Sequence, residues 1–449
     1  IQGTASCGTT AALFDVDEDF SEIIQIGAYA STELAWRDRV FVAGAVRGDD
    51  NSAFGTDFGF IVYPSASLSW VIGEEDWFPQ MDFLSSFRVR TAWGTSGLRP
   101  DFRDAITLFG STTVATPAGD VPGITVNSTG NLALKPERST EYELGFDAAL
   151  FNERVGVEFT YFNKKSKDAL IQRRLPPSYG VAASRFENLG EIQNKGTELA
   201  LNFAALQGDD LGLDLRGTLT TLSNEILVLG AGVEDIVFNR GLQRHSEGYP
   251  AGAFWSNPYT INDADGNGKL TNDEVTVSDD IEYIGPALPT YQASLSGELR
   301  LFDWFSMSAL FEARGGNYQG NDSEVWRCGR RSTYGCAAVG DPNASIETQA
   351  VYIADRYLGS QYGSIEKADF IKLREMSVTL SAPASLMDAA PQLDGLSLTI
   401  SGRNLATWTD YTGIDPEVVE GGGSVNFSQS EFNTQPPVRY LMIRLNYNF

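Results

Sequence analysis

The chain has 449 residues, 42% of them apolar, 11% aromatic and 20% charged, which suffices for two or three ordinary domains or one large β architecture. A net charge of −26 argues against nucleic acid as a partner, because phosphate backbones are bound by basic patches. No stretch of 18 consecutive apolar residues occurs, and the first residues carry no basic segment followed by an apolar one, so neither a transmembrane helix nor a signal peptide is visible.

Along the chain the dominant signal is an alternation of period two. It predicts strands near 22–35, 40–47, 56–71, 86–95, 139–150, 155–163, 195–206, 211–222, 290–301, 305–314, 368–381, 395–404 and 437–449. In "YELGFD" the apolar set Tyr142, Leu144 and Phe146 alternates with Glu143, Gly145 and Asp147. Later, Met376, Val378 and Leu380 alternate with Ser377, Thr379 and Ser381, and Leu396, Leu398 and Ile400 with Ser397, Thr399 and Ser401. Each such run reads as a strand with one apolar and one polar face. No segment has helical periodicity over three turns, so the chain is predicted to be nearly all β.

Between the eighth and ninth strands lies "NDADGNGKLTNDE" (262–274), whose spacing is that of a calcium loop. Asp263, Asp265 and Asn267 take positions 1, 3 and 5, and Gly268 the sharp turn at 6. Lys269 follows at 7 through its backbone carbonyl, Thr271 at 9 and Glu274 at 12. Oxygen ligands from these groups suit a hard cation, so Ca²⁺ is the expected cofactor; an unoccupied acidic turn is the competing reading. The flanks contain Pro258, Gly285, Pro286 and Pro289 and cannot be the two helices of a switching EF-hand. Cys328 and Cys336, in "WRCGRRSTYGC", would close a small loop disulfide in an oxidising compartment and remain free thiols otherwise. Cys7 is left over.

The connections sort by length. Short ones (37–39, 151–154, 207–210, 302–304) trade places with long ones (96–138, 164–194, 223–289, 315–367, 405–436), and three of middling length (48–55, 72–85, 382–394) blur the rule without breaking it. A sandwich has no reason to do this. A membrane barrel has short periplasmic turns and long extracellular loops, and must close because lipid leaves no backbone group unpaired at no cost. The last residues, "RYLMIRLNYNF", alternate up to a terminal Phe449, which looks like the closing strand of an outer-membrane barrel; an ordinary edge strand is the alternative. With Phe449 on the periplasmic side, the calcium-like loop and the Cys pair fall outside the cell.

Several stretches then resemble one family. "RGDDNSAFG" (47–55), "YPSASLSW" (63–70), "FRVRTAWGTSG" (87–97), "LKPERSTEYELGFD" (134–147) and "ENLGEIQNKGTELAL" (187–201) resemble, in order, a motif run of SusC/RagA-like TonB-dependent transporters. So do "EGYPAGAFW" (247–255), "YIGPALPTY" (283–291), "DFIKLREMSVTLS" (369–381) and "SGRNLATWTDYTGIDPE" (401–417). The resemblance implies an all-β transmembrane antiparallel barrel of about 22 strands, a plug domain, a SusD-like lipoprotein lid, and energy from TonB. Thirteen or fourteen strands and no plug make this chain, 1–449, read as the C-terminal part of such a barrel. Its partners would then include the N-terminal portion of the same barrel and the lipid membrane, and its place the outer membrane of a Gram-negative bacterium.

Catalytic chemistry is not in view. The one histidine, His245, reads as a surface loop residue, and no zinc cluster, triad or phosphate loop accompanies it. Arg47-Gly48-Asp49 matches an adhesion motif by coincidence. Trp255, Trp326, Tyr334 and Trp408 read as girdle or loop-packing residues before sugar or peptide platforms. Import of a bulky nutrient is the expected function, with no enzymatic activity. A passive or structural barrel, or a secreted calcium-stabilised adhesin, is the alternative.

Overall fold

A computed structural model describes residues 4–7, 16–19, 22–52, 60–101, 104–175, 184–188, 190–230, 232–328, 336, 338, 341–383, 395–420 and 428–447. Thirteen strands form one antiparallel sheet: β1 (Gln25–Trp36), β2 (Val40–Asn51), β3 (Ile61–Trp70), β4 (Leu84–Leu98), β5 (Glu137–Leu150), β6 (Val155–Lys167), β7 (Glu191–Gln207), β8 (Leu211–Val228), β9 (Tyr291–Leu301), β10 (Phe305–Gly315), β11 (Phe370–Ser381), β12 (Ser397–Thr409) and β13 (Tyr440–Asn446). Each pairs with its neighbour in chain order, and β1 and β13 are the two edges. Every predicted strand has its counterpart. The terminal Phe449, on which the closing-strand reading partly rested, lies outside the described residues, as does Tyr334.

One end of the sheet carries the tight connections, together with two of middling length, 71–83 and 382–396. Residues 37–39 join β1 to β2, with Arg37 and Asp38 at φ of 54° and 53°, and 151–154 join β5 to β6 through Phe151 and Asn152 at φ of 55° and 56°. Consecutive left-handed residues give a hairpin turn the same twist as its strands. The opposite end carries every long connection.

Alternation along the strands sorts the side chains. Across the register, one face presents Met307, Val378, Ile400 and Ile443 in a row. The other presents Glu298, Ser308, Ser377 and Ser401. On the apolar face large side chains stand in the open; Leu295 is 52% exposed and Ile443 76%. Aromatic side chains bracket them. Trp36, Trp77, Phe83, Phe151, Phe302 and Trp304 are exposed at the tight-turn end. Tyr142, Tyr161, Tyr291 and Trp408 are exposed toward the other end. From Tyr142 to Phe151 is nine residues and from Tyr291 to Phe302 eleven. At ~3.3 Å per residue and a strand tilt of ~40° the belts are roughly 23–28 Å apart, the height of the apolar band of an outer-membrane barrel.

The polar face is stitched by charge and hydroxyl pairs. Arg88 and Arg90 both reach Asp147, at 2.6 and 3.3 Å. Arg403 meets Glu375 at 2.8 Å, and the Ser308 and Ser377 hydroxyls are 2.8 Å apart.

One expectation is corrected. A helix was not expected, yet α1 spans Ile346–Leu358. Its signals are local: the Ser345 hydroxyl accepts from the Thr348 N–H, Gly359 ends it in left-handed conformation, and Ala350, Ile353 and Ala354 line one buried face. The long connections contain short sheets of their own, among them the hairpin Leu108–Thr116 with Gly119–Ser128.

Candidate functional site at the long-loop end

Three long connections, 229–290, 316–369 and 410–439, fold against one another. Strands Tyr318–Asn321, Ile365–Lys367 and Ser430–Glu431 make a small sheet drawn from two of them. Leu242, Phe254, Ala287 and Ile365 form a buried core between the first two. Polar groups complete the join: Asn239 donates to the Ser430 hydroxyl at 2.8 Å, and Arg240 pairs with the buried Asp322.

Within this cluster sits the acidic loop. Tyr259–Ile261 pairs with Val275–Val277, so the loop is the tip of a hairpin and its flanks are strands. Carboxylate oxygens of Asp263, Asp265 and Glu274 come within 4.8 Å of one another. The chain is wound by side chains accepting from backbone N–H groups: Asp263 from Gly268 at 3.0 Å, Asp265 from Asn267 at 3.1 Å and Asn267 from Lys269 at 2.6 Å. The other oxygen of Asp263 is buried and receives no hydrogen bond. A buried carboxylate oxygen without a donor is an unfavourable arrangement that a cation would relieve.

The donor set, hard oxygen throughout, fits Ca²⁺, with Asp263, Asp265, Asn267, Glu274 and the Lys269 carbonyl available to hold it. Thr271 has a different task. Its hydroxyl and its N–H both donate to Glu274, at 3.0 and 2.8 Å, and these bonds hold the Glu274 carboxyl below its ordinary range.

Gln349 of α1, which nothing in the sequence singled out, clamps the loop from outside. Its side chain accepts from the Leu270 N–H and donates to the Gly268 carbonyl, both at 3.0 Å. Val275 shares a buried cluster with Ala350, Ile353 and Ala354 of α1. Cys328 and Cys336 are joined by a disulfide, with Cα atoms 5.0 Å apart.

The remaining residues singled out in the sequence fall in structural roles. His245 is not on the surface: burial lowers its pKa to about 4, its Nδ1 accepts from the Gly252 N–H at 3.0 Å, and its ring lies against Phe238. Trp255 packs with Tyr249 and Tyr283, Trp326 with Phe432, and Trp408 with Phe311 on the apolar wall face. Asp49 of the adhesion-like tripeptide is tied to Arg47 within β2.

The profile of the family described as "TonB dependent receptor-like, beta-barrel" matches residues 8–335, and the chain belongs to that family. It is similar to TonB-dependent receptor P3 of Formosa agariphila, 25% identical over 94% of this chain and 45% of that receptor. It is also similar to TonB-dependent receptor SusC of Bacteroides thetaiotaomicron, 26% identical over 49% of this chain and 23% of SusC. Among solved structures, a chain of "Structure of the RagAB peptide transporter" superposes with a TM-score of 0.77 at 20% identity, over 97% of this chain and 48% of its own. The fold is thus that of a SusC/RagA-like barrel wall, and the chain spans about half the length of the curated relatives it matches.

Proposed function

We propose that this chain is the larger part of the barrel wall, with the extracellular loops, of an outer-membrane transporter in a Gram-negative bacterium. The transporter imports a bulky nutrient, an oligosaccharide, a peptide or a related fragment, with energy delivered by TonB. Strands outside this sequence complete a barrel of about 22, a plug fills it, and a SusD-like lipoprotein covers its mouth. The observation that carries this reading is the wall itself. Thirteen consecutive strands expose an apolar band between two aromatic belts on one face and keep paired charges on the other. Among the described residues the outer edges of β1 and β13 have no partner strand, which supports strands from elsewhere, since open edges in lipid carry an unsatisfied backbone. The interlocked long loops support a lid, because they offer a formed surface to dock on.

Ca²⁺ belongs to the same proposal as a structural clip that holds the 262–274 loop on α1. The test of the transport reading is uptake by cells expressing the intact receptor with its lid, offered a fluorescent pool of peptides and one of oligosaccharides. Accumulation of one pool is expected, and its abolition by deletion of TonB. Uptake that continues without TonB would make this a passive barrel instead.

A further inference from the structure

The connection after β12 departs from the behaviour of a surface loop. At the long-loop end of the polar face, β10 contributes Glu312 and Arg314, and β11 contributes Lys372 and Arg374. Glu312 stands opposite Lys372 in the register. Residues 411–418 cross this patch. The Lys372 ammonium, whose side chain is 4% exposed, donates to both oxygens of Asp415 at 2.7 and 2.9 Å and to Glu417 at 2.9 Å. Arg374 binds Glu417 with two N–H groups at 2.7 and 2.6 Å and Glu312 with a third at 2.7 Å. Arg314 closes the net on Glu312 at 2.6 Å and Glu417 at 3.5 Å. Three cations meet three carboxylates, so no charge is left over at a site where burial would make one costly.

The same segment is held from other sides. The Thr412 N–H and hydroxyl both donate to Glu366, at 2.8 and 2.7 Å. Gln319 donates to the Val418 carbonyl at 2.7 Å. The Ile414 N–H reaches Glu431, a carboxylate with no exposure at all, at 3.3 Å. Tyr411 is buried. Wall, neighbouring loop and the returning chain therefore all grip 411–418.

We propose that residues 411–418 are a fixed strap across the lumen side of the extracellular mouth, clamped to the wall by Lys372 and Arg374, which narrows the opening and stays in place while cargo passes beside it. A loop that swung aside would expose two cations and two carboxylates that the fold has matched to one another. Loading and release must then be carried by other parts of the assembly.

Hydrogen exchange on the purified full-length receptor tests the clamp without knowledge of the cargo. The hydrogen-bonded amides of the strap, those of Tyr411, Thr412, Ile414, Glu417 and Val418, are expected to exchange as slowly as those of β10 and β11. Paired substitution on the wall, Lys372→Met with Arg374→Met, and separately on the strap, Asp415→Asn with Glu417→Gln, should each speed them about a hundredfold and leave the wall strands unchanged. Fast exchange in the native receptor, or no change in either variant, overturns the proposal. Loss of protection throughout the wall in both variants does so too, because the net would then be holding the barrel together. A receptor carrying Lys372→Cys with Asp415→Cys tests immobility. Uptake equal in the oxidised and reduced forms supports a fixed strap, and uptake lost only on oxidation shows that it must swing out.

Discussion

Glu417 shows how one residue's surroundings set a pH range. Burial alone would raise its pKa, but hydrogen bonds from Arg374 and Lys372, with Arg314 also nearby, outweigh that and hold it at about 2. Asp415 and Glu312 are the carboxylates beside it in the net. A carboxyl depressed in the folded state contributes stability above its ordinary value, and that contribution fades as pH falls through the folded value. The strap's opening equilibrium, from hydrogen exchange corrected for the intrinsic rate, should therefore be flat from about pH 7 to 5 and rise between about 4.5 and 2. In Glu417→Gln that rise should shrink. Opening already advanced near pH 6 would contradict the assignment. His245 makes the reverse lesson. A lone loop histidine reads as solvated, and only the fold reveals that it accepts a backbone N–H in a buried turn.

Among elements, the thirteen wall strands were legible because lipid on one side and polar contacts on the other force strict alternation, and alternation is what a sequence displays most plainly. Helix α1 was not. Its buried stripe is three small or medium residues, Ala350, Ile353 and Ala354, too narrow a signal beside strands that repeat over a dozen positions. The acidic loop was legible as spacing, since Asp263, Asp265 and Glu274 do converge. Its clamp, Gln349, was not, because it approaches from 79 positions away along the chain. The strap was illegible for the same reason, its partners being one β-hairpin and one loop apart. For the acidic loop, Asp263→Ala with Glu274→Ala should leave the wall intact and make 259–277 cleavable by protease in Ca²⁺ at the rate the unaltered protein shows in chelator. Cleavage indifferent to chelator in the unaltered protein would remove the metal from the account.

For the molecule as a whole, the sheet makes sense only with two solvents. Its apolar face exposes side chains that water would force inward, and its polar face pairs Arg88 with Asp147 and Arg403 with Glu375 in the open. Tight turns at one end and folded loops at the other give the wall a direction, and the belts of Trp, Tyr and Phe give it a height. The sharpest measurement is a cysteine scan of β9, residues 293–299, in native outer membranes on a Cys7→Ser background, with a water-borne maleimide that cannot enter lipid. Reaction at 294, 296 and 298 with protection at 293, 295, 297 and 299 is the predicted result. Equal reaction on both sets, or reaction at 295 with protection at 296 and 298, would contradict a wall standing between lipid and a wet lumen.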